Sequence, residues 1–253
     1  MRLVMAVVLG VLLGSSAQAQ PAPPKGPGME TEAVDILKAM AARLTAAKTL
    51  RFTAVVTYQH PAMTGQPLWY TTISEVALER PNHLRIITPG DGPPTEFYYD
   101  GKTMTAYDPR ANLAAVAPAP ADLDGMIKLA YDKAAIYFPF VDLIVADPFK
   151  AITEDLTWAF YIGQSHVVGS TVTDMIAVGG PNIEAQLWIG AEDHLPRLIR
   201  AVYPKDPGGE QHSVAFYHWV LNGKLAPGGF ASAKAAKAPR IEFAKPEPEA
   251  KKN

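Results

Sequence analysis

The chain has 253 residues, with 25 acidic and 23 basic side chains, a formal net charge of −2 and no cysteine. A length of this order suits one large β-rich domain or two small domains. The near-neutral charge argues against nucleic-acid binding, because phosphate recognition needs a clustered basic surface. The lack of cysteine excludes disulfides, thiolate metal sites, cysteine nucleophiles and a lipid-modified N-terminal cysteine.

The first 19 residues have the three parts of an export signal. Arg2 supplies a positive charge, residues 3–13 form an apolar run, and the segment Ala17-Gln18-Ala19 is a small-x-small cleavage site. The apolar run is about half as long as the roughly 20 residues that a membrane-spanning helix needs. We therefore predict cleavage after Ala19 and a soluble periplasmic protein without a transmembrane span.

Two flanking segments stand outside the predicted folding unit. Residues 20–29 form a proline-rich leader, and residues 244–253 form a charged tail interrupted by prolines. Such segments bury too few apolar side chains to offset the entropy of ordering them, so we expect the tail to be disordered. The domain is predicted to span residues 30–243.

The predicted elements begin with an amphipathic helix over residues 30–48, in which apolar residues recur at three- and four-residue spacing. A strand follows over residues 50–58, where apolar and polar side chains alternate. The Asp100-Gly101 pair predicts a tight hairpin turn. The other strands predicted in this part of the chain cover residues 68–79, 83–88, 96–99, 103–107 and 113–117.

Residues 121–136 and 138–146 predict two helical pieces, the second ended by Asp147-Pro148. The β pattern then returns over residues 157–162, 170–178, 184–189, 197–203 and 213–221. Because strands do not alternate with helices, the order argues against a parallel βαβ architecture. We predict an α+β fold, mainly antiparallel β, in which a single large curved sheet forms a half-open barrel covered by two or three helices.

The order of these segments resembles that of the LolA/LolB-type lipoprotein carriers. The features that match are the export signal, the first helix, the strand at 50–58, the segment Arg80-Pro81-Asn82-His83-Leu84-Arg85, the hairpin at 98–102 and the mid-chain helical insert. The chain is also similar, more closely, to a family of predicted periplasmic proteins, a domain of unknown function placed in that fold group. The stretches that carry this similarity are FYYDGKTMTAYDP (97–109), FPFVDLIVADPF (138–149) and QLWIG (186–190).

The resemblance covers roughly residues 30–243 and implies a half-open antiparallel barrel with a helical lid, which in the carriers encloses lipoprotein acyl chains. Sequence pattern leaves open whether the helices fill the curved sheet or lie across its mouth above an apolar cavity. The candidate cavity residues are Phe52, Val56, Trp69, Ile73, Phe97, Tyr99, Trp188 and Phe216, with His218 as a further candidate. The candidate lid residues are Leu123, Met126, Ile127, Phe140 and Leu143. For each single residue, ordinary core is the alternative and the more common role of such a side chain.

The resemblance also implies an arginine on the sheet that holds the closed lid through hydrogen bonds to helix backbone. Arg85 or Arg80 is the candidate, and a solvated strand face is the alternative for both. Both flank the predicted turn at Pro81-Asn82.

Side chains with catalytic or metal-binding chemistry are not arranged in a recognisable pattern. The six histidines form neither a His-x-x-x-His pair nor a HExxH motif. The Ser165-His166 pair lacks the second glycine of a nucleophile elbow. We therefore predict no catalytic residues, no metal site, no cofactor and no enzymatic activity.

The leading hypothesis is a non-catalytic periplasmic protein that holds a lipid, an acyl chain or a lipoprotein in an apolar half-barrel cavity. The alternative is a protein-interaction or envelope-stress sensor domain on the same fold, and a third possibility is an enzyme without a recognisable motif. The expected partners are acyl chains or an envelope protein, and the expected oligomeric state is a monomer.

Overall fold

A computed structural model describes residues 28–90, 93–205 and 211–245. The predicted export signal (1–19), most of the leader (20–27) and the tail beyond residue 245 lie outside the described residues. The strands of the described part are β1 (Thr49–Pro61), β2 (Pro67–Glu79), β3 (His83–Thr88), β4 (Thr95–Tyr99), β5 (Thr103–Asp108), β6 (Leu113–Pro118), β7 (Trp158–Ser165), β8 (Thr173–Gly179), β9 (Glu184–Gly190), β10 (Pro196–Val202), β11 (Gln211–Leu221) and β12 (Arg240–Ile241). Its α-helices are α1 (Thr31–Thr45), α2 (Leu123–Ala134), α3 (Val141–Ile144), α4 (Pro148–Thr153) and α5 (Ala233–Lys237).

These strands form one sheet in the order β12-β6-β5-β4-β3-β2-β1-β11-β10-β9-β8-β7. Two antiparallel meanders, β1 to β6 and β7 to β11, are joined where β1 pairs with β11. The short β12 adds in parallel to β6. Among the described residues the edge strands β7 and β12 do not pair with each other, so the curved sheet is not closed. The predicted α+β fold, mainly antiparallel and half-open, is confirmed.

The inner face of the sheet, defined as the face that carries helices α1 to α4, holds the main core. Phe52 of β1 pairs with Val76 of β2, and Ala54 of β1 pairs with Phe216 of β11. All four side chains are buried. The intervening residues point to the opposite, outer face, because successive side chains of a strand alternate. The period of two in β1 therefore determines which face is buried.

Helix α1 packs across the β7 end of the sheet and against α4. Its buried residues recur at three- and four-residue spacing, as the sequence predicts for an amphipathic helix. They are Ala33, Leu37, Met40, Ala41 and Leu44. No helix in the described part of the chain is long and apolar enough to cross a bilayer.

The second predicted helical piece, residues 138–146, is shorter than expected, and a further helix follows it. Only Val141–Ile144 are helical, as α3. Asp147-Pro148 begins α4 instead of ending a helix: the Asp147 side chain accepts a hydrogen bond from the backbone N–H of Lys150 at 2.9 Å. Proline at the first helical position leaves no N–H without a partner, so an Asp-Pro pair is also a helix start.

The C-terminal residues after β11 form structure that the sequence analysis did not predict. Helix α5 and strand β12 lie against the β5–β6 end of the sheet. There Ala235 and Ala238 pack with Tyr107 and Ala114 in a small cluster of buried residues. A stretch of alanines and lysines carries little periodic signal, so its docking depends on the surface that β5 and β6 present.

Candidate functional site

The helical insert, residues 119–157 between β6 and β7, lies across the inner face of the sheet. Asp122 caps α2 by accepting a hydrogen bond from the backbone N–H of Gly125 at 2.8 Å. Tyr99 of β4 is fully buried, and its hydroxyl donates to the carbonyl of Pro120 at 2.5 Å. The start of the insert is therefore attached to the sheet by a side chain predicted to line the cavity.

The inner face of β1 to β6, the first half of the sheet, is filled by aromatic and aliphatic side chains. The Phe52 ring meets Phe140 edge-on with centroids 5.5 Å apart and lies 4.4 Å from Trp219. Phe97 packs against Phe138 at 5.3 Å. The predicted site residues that join this core are Phe52, Val56, Phe97, Tyr99, Phe216, Leu123, Met126, Phe140 and Leu143, with Ile127 half-buried against it. Here the insert fills the curve of the sheet.

Trp69 and Ile73 lie on the outer face of β2, so their predicted place in a cavity on the inner face is wrong. Their side chains are 56% and 41% exposed, and they pair with Gln59 and Val55 of β1. The inner positions of β2 are the even-numbered ones, which include the buried Val76. A choice of the wrong alternate position moves a side chain to the opposite face.

Trp188 and Arg85 also face outward. Trp188 pairs with Leu198 and lies beneath the guanidinium of Arg200, 5.7 Å from the ring centroid. It is only 7% exposed, so its surroundings on the outer face bury it as fully as a core residue. Arg85 pairs with Ala77 on the outer face and cannot hold a lid on the inner face.

Arg80, the other candidate arginine, does reach the insert. Its Nη1 donates to the carbonyl of Val145 at 3.0 Å, and the next backbone N–H, of Ala146, donates to Asp124 Oδ1 at 3.0 Å. Burial lowers the pKa of Arg80, and the nearby Asp124 charge opposes that shift. Its Nε and Nη2 are buried without a partner among the described residues. The attachment is therefore made at the expense of unpaired donors.

A cavity of about 240 Å³ lies where the inner face of β8 to β11, in the second half of the sheet, meets the C-terminal part of the insert. Its floor consists of the buried side chains Val178, Leu187, Ala201 and Val214. Its roof consists of Phe140, Leu143, Ile152 and Leu156 from the insert. Of the predicted site residues, the lid candidates Phe140 and Leu143 line this cavity, and none of the eight cavity candidates does.

Polar groups gather at one side of the cavity, which we call the mouth. The mouth residues are Tyr137, Asp142, Glu154, Asp155, Tyr203 and His212. Burial raises the pKa of the Asp142 carboxyl above its ordinary value of 3.8. Burial also raises the pKa of the Tyr137 hydroxyl, with smaller contributions from Tyr203 and Asp142. The cavity thus combines an apolar interior with an acidic and hydroxyl-bearing entrance.

A second pocket, of about 400 Å³, lies at the ends of β4 to β6. Its lining includes Glu96 and Tyr107, which point to the outer face, together with the inner-face residue Phe97. Because it extends around the strand ends, it is a notch at the sheet edge. Its apolar lining comes from both the inner face, with Ala106 and Ala115, and the insert, with Ile136 and Phe138. It is wider and more open than the first cavity.

The sequence does not predict the residues that form the floor of the first cavity, because the floor depends on which residues of neighbouring strands stand opposite each other. Ala185 of β9 pairs with Ala201 of β10, and both line the cavity. Two small side chains opposite each other on an inner face leave room that larger pairs fill. The alternating pattern of each strand predicts an inner position for each alanine. It does not predict that the two alanines stand opposite each other.

The described residues give no sign of a metal centre. No group of three or more His, Asp or Glu side chains among them is arranged to hold a metal ion. His212 belongs to the mouth, whereas His218 lies 3.3 Å from the Thr53 hydroxyl on the outer face. The two histidines stand on opposite faces of β11 and do not share a site.

A model of the family described as "Predicted periplasmic protein (DUF2092)" matches residues 33–244. This description agrees with the predicted localisation, whereas no curated protein matches the sequence. The chain is similar to an uncharacterized conserved protein from Thermus thermophilus, with 11% identity, coverage of 83% of this chain and 99% of that one, and a TM-score of 0.48. It is similar to a LolA superfamily protein, NE2245 from Nitrosomonas europaea, with 10% identity, coverage of 79% and 97%, and a TM-score of 0.38.

A third similar structure is the complex of MucA and MucB from Pseudomonas aeruginosa, with 14% identity and a TM-score of 0.45. The match covers 81% of this chain and 62% of that one, so the chain spans less than two thirds of the length of its relative.

Proposed function

The chain belongs to the DUF2092 family of predicted periplasmic proteins, and we propose that it binds an apolar ligand such as an acyl chain without catalysis. The observation that carries this proposal is the cavity between the floor of β8 to β11 and the insert. Each methylene group of a ligand buried there contributes about 0.8 kcal/mol. A continuous apolar floor and roof therefore favour a hydrocarbon.

The volume of the cavity limits what it accepts in the state observed. At about 240 Å³ it exceeds the roughly 150 Å³ of an engineered cavity that binds benzene. It is smaller than the roughly 300–1,000 Å³ of sites for drug-sized ligands. The cavity therefore holds one short apolar group as it stands, and a longer acyl chain requires the roof to move.

The roof is suited to such movement. Helices α3 and α4 have 4 and 6 residues, far below the roughly 12–15 at which an isolated helix becomes even marginally stable. Their position therefore depends on packing and on the contact that Arg80 makes with Val145. Displacing this part of the insert would enlarge the cavity while α2 stays packed on the first half of the sheet.

Filling the cavity from its floor tests the proposal. In Ala201→Phe the new ring occupies the space, so we expect the affinity for the neutral fluorescent probe N-phenyl-1-naphthylamine to fall about tenfold or more, equivalent to about 1.4 kcal/mol. Val202→Phe adds the same ring to the next residue of β10, on the outer face, and should leave probe binding unchanged. Equal affinity of the two variants, with both folded by circular dichroism, would contradict the proposed site.

A second candidate function, binding of an envelope protein, is favoured by the β1–β2 hairpin. Residues 52–74 contain no Asp, Glu, Lys or Arg, and Trp69 and Ile73 are exposed on their outer face. Exposed apolar patches of this kind mark interaction surfaces. Photo-cross-linking from position 69 in intact cells should trap one discrete protein, while the same label at Val202 should not. Identical patterns from both positions would argue against this function.

A further inference from the structure

We propose that the cavity selects apolar ligands with a positively charged head and discriminates against anionic amphiphiles of the same length, such as free fatty acids. This inference rests on the proposed binding function and concerns the charge of the ligand. It follows from the way in which charged and apolar groups are divided between the mouth and the interior.

The mouth carries three carboxylates, and no lysine or arginine in the described part of the chain lines the cavity. Asp142 belongs to α3, while Glu154 and Asp155 directly follow α4. Lys205 follows β10 near the same end of the sheet, but it donates to Asn182 at 3.0 Å and does not line the cavity. A ligand head at the mouth therefore meets a surplus of negative charge.

These carboxylates are available to a ligand. Within the ranges that the structure describes, the side chains of Asp142, Glu154 and Asp155 accept no hydrogen bond and form no ion pair. By contrast, Asp122 and Asp147 nearby are occupied in capping helices. The mouth carboxylates do not cap helices in this way, and so they retain their full capacity to accept hydrogen bonds from a cationic head.

The interior determines how an amphiphile must be oriented. Val178, Leu187 and Val214 offer no hydrogen-bonding side chain, so a charged head placed there would lose its hydration without compensation. The tail therefore occupies the interior and the head stays at the mouth. Burial already disfavours the charged form of Asp142, and a cationic head beside it would relieve that cost.

The opposite charge has the reverse effect. A carboxylate or sulfate head at the mouth would lie close to three like charges on exposed side chains, and their repulsion, reduced but not removed by water, opposes its binding. Tyr137, Tyr203 and His212 carry groups that can donate a hydrogen bond to an anionic head or accept one from an ammonium head. They provide binding to polar heads in general, while the carboxylates decide which charge is preferred.

Three amphiphiles with the same tail test the inference: laurylamine, lauryl alcohol and laurate. Each is added below its aggregation limit at pH 7.4 to displace N-phenyl-1-naphthylamine from the purified protein. We expect laurylamine to displace the probe at about a tenfold lower concentration than laurate, corresponding to about 1.4 kcal/mol, with lauryl alcohol between them. In the double variant Asp142→Asn, Glu154→Gln this ratio should fall toward one.

Glu192→Gln is the matched control. It removes a carboxylate from the turn between β9 and β10, at the opposite end of these strands from the mouth residue Tyr203. Its laurylamine-to-laurate ratio should equal that of the unmodified protein. Equal displacement by the two charged amphiphiles, or a ratio that persists in the double variant, would overturn the charge inference and leave the apolar site standing. Failure of all three amphiphiles to displace a bound probe would contradict binding of acyl chains and with it the charge inference, whereas a protein that does not bind the probe at all would contradict the proposed apolar site.

Discussion

The two halves of the sheet have the same alternation of inner and outer side chains, but their inner faces are packed differently. In the first half, aromatic residues such as Phe97 and Tyr99 and the helix α2 fill the inner face. In the second half, Ala185 and Ala201 stand opposite each other, and the short α3 and α4 leave a cavity of about 240 Å³ above them. An unclosed curved sheet can thus hold a filled core and a cavity side by side. The size of the inner side chains and the length of the covering helices distinguish the two.

The largest effect should follow from removing the side chain that belongs to both halves. Phe140 is 2% exposed, packs against Phe52 and forms part of the cavity roof. Phe140→Ala should lower the free energy of unfolding by about 3–5 kcal/mol, as large-to-small changes in cores do. Urea denaturation measures it, with the exposed Tyr131→Ala of α2 as the control that should change little. A loss below about 1 kcal/mol would mean that the roof contributes little to the core.

Adding the same side chain to each half tests the comparison directly. Ala117→Leu, on the inner face of β6 opposite Met104, overfills a packed core and should cost about 1–3 kcal/mol. Ala201→Leu places the same atoms into the cavity, where they gain contacts without displacing others, so stability should stay the same or rise. Unfolding experiments on both variants decide the outcome, and equal losses would show that the second half is as tightly packed as the first.

Replacing Arg80 and replacing Arg85 should have different effects on amide hydrogen exchange in the insert. Arg80→Ala removes the contact with Val145, so amides of residues 141–153 should exchange faster while those of β1 to β3 keep their protection. Arg85→Ala, on the outer face, should leave exchange in the insert unchanged. Arg80→Ala should lower the free energy of unfolding by about 1 kcal/mol or less, because the hydrogen bond to Val145 is partly offset by the unpaired donors of the Arg80 side chain. Faster exchange in the insert of Arg85→Ala alone would reverse the assignment.

The smallest expected effect concerns Asp142. Burial raises the pKa of its carboxyl in the folded protein above the ordinary value of 3.8, so the folded state binds more protons than the unfolded state as pH rises from that value to the folded pKa. The stability contribution of this group therefore falls across that window and stays low above it. Asp142→Asn should be slightly more stable than the unmodified protein at pH 7 and equal to it near pH 3. A thermal midpoint that differs equally at both pH values would contradict this cause.

Much of the fold was predictable because local pattern decides it. The predicted strand at 83–88 has the observed bounds of β3, and the Asp100-Gly101 hairpin joins β4 to β5 as expected. The predicted lid residues Phe140 and Leu143 do lie in the insert above the inner face. Their role in ligand binding stays a prediction, as does that of the five cavity candidates in the core.

The predictions that are wrong concern residues whose local sequence pattern fits two different environments equally well. Trp69 and Trp188 are large and apolar and lie in clear strands, which suggested the inner face for both. Trp69 instead lies on the outer face of a hairpin that extends beyond its neighbours, and Trp188 is buried on the outer face beneath Arg200. Asp147-Pro148 was expected to end a helix, although the same pair also begins one.

The sequence by itself determined the α+β class and the approximate positions of β1 to β11, because hydrophobic periodicity and turn residues act over a few neighbouring positions. Its resemblance to known sequences indicated the periplasmic family. The tertiary structure alone decided where the cavity beneath α3 and α4 lies. That outcome depends on the pairing of Ala185 with Ala201 and on the position of the insert above them. Packing between residues distant in the chain depends on the volume and shape of their side chains, and the periodicity of a single segment does not predict which of them will meet.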